Sequence, residues 1–421
     1  MFAKRVLPEM RRCSEAGPEG RFPGAGRQDD GMVKPTALRF ATYYGAFYLM
    51  FGAFLPYFPR WLDGRGLSPE WIGWILAAGM IGRTLVSPIG ARWADRAVRH
   101  RDPILAFAIG SVIVFALHLP VSTPWVLLIL SFATGALVFG QIPVTDAFAI
   151  RAARDHAFEF GPVRAFGSAL FIVANFTAGA LIDRTGTESV LAWMIIAGGL
   201  MALAAAWLPP GHRPTAYIPR PDEWKRLARL LAGPLGLALA ASALTQSGHA
   251  FYYVVSANAW SAAGISGAMI GALWAFAVAF EIAFLWLSGR GFLGRLSPAK
   301  LMMIGGAASL VRWGLTALSP PLWALFPLQA LHALTFAATY VGFLRFTAQD
   351  MPDDQTALSQ GLNSALSGGI ILAAMSTVSG YAFAQFGIAG FAFMMLPGLL
   401  GLGAAFLLHH VSSLPPQKDI D

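Results

Sequence analysis

Runs of about twenty apolar residues recur along this chain, and they leave few ways for it to fold. About 20 such residues in a helix cross ~30 Å of hydrocarbon. Segments 36–59, 71–91, 103–121, 124–149, 163–183, 189–208, 233–258, 265–289, 299–318, 321–347, 357–385 and 388–410 each meet that length. Hydrocarbon cannot satisfy backbone N–H and C=O groups, and the runs are far longer than barrel strands, so they are read as helices. Only 12% of the residues are charged and 56% are hydrophobic, against roughly 25% charged in a soluble domain. The expectation is an all-α membrane protein with twelve transmembrane helices.

The formal charge of +8 suggests a nucleic-acid binder until its placement is examined. Of the 30 Lys and Arg residues, 23 fall in segments 1–39, 92–101, 151–154, 213–229, 290–300 and at Lys418, on one side of the alternating topology. Three, Arg60, Arg65 and Arg184, fall in loops on the other side. This bias predicts cytoplasmic N- and C-termini in a cell (inner) membrane. The positive charge is therefore topological, and its surface partner is anionic lipid rather than nucleic acid. Residues 1–35 are expected to be a disordered cytoplasmic tail without a secretory apolar region. Cys13 is the single cysteine, so no intrachain disulfide forms. The loop 209–232 ends in "DEWKRLARLL", an amphipathic pattern suited to the inner membrane face. It divides the chain into six-helix halves, 36–208 and 233–410, followed by a tail, 411–421.

Ionisable residues inside such segments are costly and face a cavity or a partner. Here they are Arg83, Asp146, Arg164, Glu281, Arg312 and His332, with His249 nearby. Gln329, His332, Thr335 and Thr339 share one helical face, as do Thr245, His249, Tyr252 and Ser256. Gln360, Asn363, Ser364 and Ser367 add polar groups in the eleventh segment. A common wet cavity accounts for these stripes together, with Tyr44, Tyr48, His249, Tyr252, Gln329 and Asn363 as candidate lining. Any one charge alone is also compatible with a structural ion pair, and any one ring with an interfacial belt. There is no metal-ligand spacing, nucleophile elbow or P-loop, so neither an enzyme, nor a cofactor, nor ATP hydrolysis is expected.

The loop "ARWADRAVRHR", 91–101, resembles the G-x-L-A-D-R-x-G-R-R loop of the major facilitator superfamily. Asp95, Arg96 and Arg99 match, and Ala91 and Val98 replace both glycines. The resemblance implies that Asp95, Arg96 and Arg99 belong to a cytoplasmic gate. "EFGPVRAFGSALF", 159–171, is similar to the helix 5 entry of lactose-permease-type proton symporters. Asp146 and Arg164 have the spacing of that family's sugar-binding Glu–Arg pair. Glu281, Arg312 and His332 fall where it has a Glu, an Arg and a His. Thr335 and Gln329 stand in place of its proton-carrying Glu and its Lys. The segments "PVTDAFA" (143–149), "SGHAFYY" (247–253), "LVRWGL" (310–315), "QALHALTF" (329–336) and "FLRF" (343–346) resemble the phenylpropionate-permease branch. These resemblances imply a monomeric secondary transporter whose partners are protons and a small molecule. Asp146 then reads as a cavity carboxylate paired with Arg164. Arg83, Arg164 or Arg312 holds an anionic group, and Glu281 or Asp146 carries the proton. An aromatic acid is the first substrate expectation. A neutral sugar or nucleoside, or efflux on the same fold, is the alternative.

Overall fold

The computed structural model describes residues 35–211, 231–351 and 353–413. The tail 1–34, most of the linker with its amphipathic helix (212–230) and the tail from 414 onward lie outside the described residues. Helix accounts for 88% of the described chain and there is no strand among the described residues. Proline opens the helices Pro69–Arg96, Pro124–Thr134, Pro234–Ser247 and Pro298–Ala317, where its missing N–H has no partner to lose. The Ser266 and Ser297 hydroxyls cap Gly267–Leu287 and Pro298–Ala317 by accepting from the Met269 and Lys300 amides.

Among the described residues eight helical runs are long and apolar enough to cross a membrane, fewer than the twelve segments marked from sequence. One reason is visible at 233–258. The chain breaks at Gly248–His249 into Pro234–Ser247 and Ala250–Ala262, each too short alone. Bulky apolar side chains such as Ile129, Trp286, Trp323 and Phe406 are exposed on the outer surface. A soluble protein does not carry so much exposed apolar surface, whereas lipid accepts it.

Small residues set the helix contacts, as expected where lipid is no less apolar than leucine. The Pro35–Gly64 helix packs on Phe160–Thr185 and Ser189–Trp207. Phe160–Thr185 also packs on Gly267–Leu287. There the backbones touch at Gly179, Gly267 and Gly271, sites with no room for a side chain. The Tyr57 hydroxyl lies 2.9 Å from the carbonyls of Asn175 and Gly267. Asp183 accepts from the Gly267 and Ala268 amides at 2.6 and 2.9 Å, closing the start of Gly267–Leu287. Pro69–Arg96 likewise meets Ile371–Phe386 through Gly73 and Gly380. The contacts at Gly179, Gly267, Gly73 and Gly380 lie toward the end that carries the turns at 64–69 and 185–189.

Among the described residues three π-helical segments interrupt the ladder, at Gly135–Phe139, Ala333–Ala338 and Leu366–Ile370. Such bulges are frequent at functional sites, and each of these carries a residue that touches a membrane arginine.

Candidate substrate and coupling site

Two polar clusters are built in the interior. The first joins Pro35–Gly64, Gly140–Asp155 and Phe160–Thr185. Asp146 Oδ1 lies 3.5 Å from Arg164 Nε and accepts from the Tyr44 hydroxyl at 2.6 Å. The Arg164 guanidinium lies 4.7 Å from the Tyr48 ring and 5.2 Å from the Tyr44 ring, a cation–π arrangement. Behind them the Tyr43 hydroxyl donates to Gln141 Oε1 at 2.6 Å. Asp146 is thus held by Tyr44 and half-buried beside its counter-ion, which answers how a carboxylate is accommodated there.

The second cluster centres on Arg312, which has no exposed surface. Its Nη2 donates to Gln329 Oε1 at 2.8 Å. Its Nη1 lies 3.0 Å from Thr335 Oγ1, 3.1 Å from His332 Nδ1 and 3.2 Å from His249 Nε2. An arginine only donates, so both imidazole nitrogens that face it are acceptors. His332 therefore carries its proton on Nε2, which lies 3.2 Å from Glu281 Oε2. His249 carries its proton on Nδ1, 2.9 Å from the Gln246 carbonyl. The partners thus assign both tautomers. Arg312 reaches its carboxylate, Glu281, through the His332 ring. The Trp313 and Tyr252 rings lie 4.4 and 5.2 Å from the guanidinium.

Arg83 differs. Among the described residues it forms neither an ion pair nor a side-chain hydrogen bond; the Phe139 ring lies 5.8 Å from its guanidinium, which stands beside Gly368. Tyr48 and Tyr253 lie within electrostatic range of it. Tyr48 is also in range of Asp146, Arg164 and Glu281, and Tyr253 of Glu281 and Arg312. Tyr340 is in range of Asp146, Arg164 and Glu281. Tyr48, Tyr253 and Tyr340 thus link the two clusters and Arg83 electrostatically.

Asn363 takes no part in either cluster, and its buried Oδ1 has no hydrogen-bond partner. Asp95, Arg96 and Arg99 stand far from the clusters, at the end of Pro69–Arg96 and just beyond it, with no ion pair among the described residues. Sequence reasoning did not single out Thr335 as a ligand of Arg312, nor Phe139, Gly368 or Tyr340. The polar stripe did place Thr335 on the correct face. Nothing local marks the other three.

Among the described residues, an all-helical body with an apolar outer surface and buried charged clusters defines a polytopic membrane protein. The sequence pattern of the MFS_1 like family matches residues 37–395, and the chain belongs to that family: it is a multi-pass membrane transporter of the major facilitator type. It is 28% identical over 379 residues to the Escherichia coli (strain K12) protein named "Probable 3-phenylpropionic acid transporter", covering 89% of this chain and 98% of that one. It is 23% identical to the maltose permease of Geobacillus stearothermophilus, covering 88% and 93%. The crystal structure of the nucleoside transporter NupG superposes with a TM-score of 0.73 at 14% identity, covering 90% of this chain and all of that one. These relatives are transporters of small molecules, not enzymes.

Proposed function

We propose that this transporter is a proton-coupled symporter of a small monocarboxylate with a planar, aromatic body. It works by alternating access of two six-helix bundles, 36–208 and 233–410, around the shared space. The basic end, with both termini, is cytoplasmic in the inner membrane, and the protein acts as a monomer. The observation that carries the reading is the unpaired Arg83. Asp146 offsets Arg164, and Glu281 offsets Arg312 through His332. Among the described residues Arg83 is left with a positive charge and no anion. A buried charge is costly until it is paired, and a carboxylate can accept from a guanidinium in bidentate fashion. Phe139, Tyr48 and Tyr253 around it suit an aryl group. Glu281 is the proton carrier, with His332 linking it to Arg312, and Asp146 is the second candidate. Asp95, Arg96 and Arg99, without an ion pair among the described residues, fit an inward-open state of the gate. The name of the Escherichia coli relative agrees with this substrate class.

The test is uptake of labelled aromatic monocarboxylates into proteoliposomes with the interior alkaline. Each hydrogen bond to a charged group contributes about 1.5–3 kcal/mol, so Arg83→Ala raises KM for the acid roughly 10- to 150-fold and leaves a neutral amide analogue unaffected. Accumulation collapses with a protonophore. An unchanged KM in Arg83→Ala refutes the anion reading. A second reading keeps the fold and changes the cargo to a neutral sugar or nucleoside. It draws on the Tyr44–Asp146–Arg164 set, which suits hydroxyl groups, and on the maltose permease likeness. Including sugars and nucleosides in the same screen separates the two.

A further inference from the structure

Pro69–Arg96 and the stretch from Leu366 to Phe386 lie in close contact, backbone to backbone at Gly73 and Gly380 and through the Thr84 side chain at Gly369. Arg83 sits at the last contact of this seam, against the π-helical segment Leu366–Ile370. A Cβ built on Gly368 would stand 3.2 Å from Arg83 Nη1 and 3.4 Å from both Cζ and Nη2. Near-equal distances to three of the four guanidinium atoms mean that the plane of the group lies broadside on the bare glycine. The extra residue of a π bulge re-aims a helix locally, and here it brings a glycine under the guanidinium. An added methyl at 3.2–3.4 Å is tighter than ordinary contact and forces a shift of a few tenths of an ångström. The atom that must yield is the end of a flexible side chain, so the fold tolerates the change and Arg83 moves. At the neighbouring Gly369 a Cβ would strike Thr84 instead, which acts on the seam and not on the guanidinium.

We infer that Gly368 is a positioning residue for anion recognition: it sets the plane and reach of Arg83 and so the affinity for the substrate carboxylate. This rests on Arg83 as the carboxylate anchor. In proteoliposomes, KM and kcat are measured for 3-phenylpropionate and for its neutral amide, in wild type, Gly368→Ala, Arg83→Lys, Arg83→Ala and the Gly368→Ala/Arg83→Lys double variant. Gly368→Ala raises KM for the acid about three- to tenfold, leaves kcat within about twofold, and leaves the amide untouched. A lysine ammonium is narrower than a guanidinium, so in the Arg83→Lys background the same alanine changes KM by less than about twofold. An equal loss in both backgrounds, or an equal loss for acid and amide, overturns the positioning role while leaving the anchor in place. An Arg83→Ala protein that keeps its KM for the acid overturns the anchor and this inference together.

Discussion

Glu281→Gln separates transport from coupling. The His332 Nε2–H lies 3.2 Å from Glu281 Oε2, and a glutamine Oε1 accepts that bond equally well, so the local geometry survives. What is lost is the negative charge opposite Arg312. The route runs from Arg312 through a 3.1 Å contact, the imidazole ring and the 3.2 Å contact. At roughly 8 Å and an effective dielectric of about 20, the lost attraction is about 2 kcal/mol. That is within the range a folded membrane protein withstands, and it appears as a lowered unfolding midpoint in detergent. Functionally, the variant is fixed in the state that a protonated Glu281 would have. Exchange of labelled for unlabelled substrate across the proteoliposome membrane persists within a few-fold of wild type. Accumulation against a substrate gradient, driven by an imposed pH gradient, is lost. The reasoning is refuted if Glu281→Gln accumulates substrate as wild type does and a protonophore still collapses it. Loss of exchange together with accumulation also refutes it, provided the purified variant is folded.

Asp146→Asn keeps an acceptor for the Tyr44 hydroxyl and removes the partner of Arg164. The pair is about one-third exposed, with side-chain accessibilities of 29% and 31%, so thermal stability changes by less than ~1 kcal/mol while uptake is abolished; full transport by this variant excludes Asp146 from the site. On the outer surface, Glu188 accepts from Arg65 Nε at 2.7 Å and Nη2 at 2.8 Å. These Arg65 bonds hold its carboxyl below the ordinary carboxylate range. A depressed carboxylate contributes stability above its unfolded pKa and loses it as pH falls through the folded one. The unfolding midpoint of wild type therefore falls more steeply below about pH 4.5 than that of Glu188→Gln, and parallel pH curves would exclude the contribution.

Much of the site was legible along the chain. The 3, 3, 4 spacing of Gln329, His332, Thr335 and Thr339 placed one polar face. In the structure the first three of these surround Arg312. The Asp146–Arg164 pair was also legible, through resemblance to a known spacing. Other features were not, because they are relations between distant segments. Arg83 looked like one of three equivalent arginines. Its lack of a partner appears only when Asp146 and Glu281 are seen committed elsewhere. Asp183 read as the end of a span, and its two bonds to the start of Gly267–Leu287 depend on an approach of helices 84 residues apart. The break at Gly248–His249 and the three π-helical segments also escaped a reading by hydropathy, which measures apolarity over a window and is blind to a single inserted residue.

The sequence by itself determined the solvent of this protein and its material. Long uncharged runs demand lipid, lipid demands helices, and charges placed within such runs demand an interior space. Which charges neutralise one another was decided only by the tertiary structure. Ion pairing depends on separations of a few ångströms, and the packing of glycine-lined helices sets those separations. Among the described residues that packing leaves Arg83 without an anion of its own, broadside against Gly368, at the end of the seam between two helices.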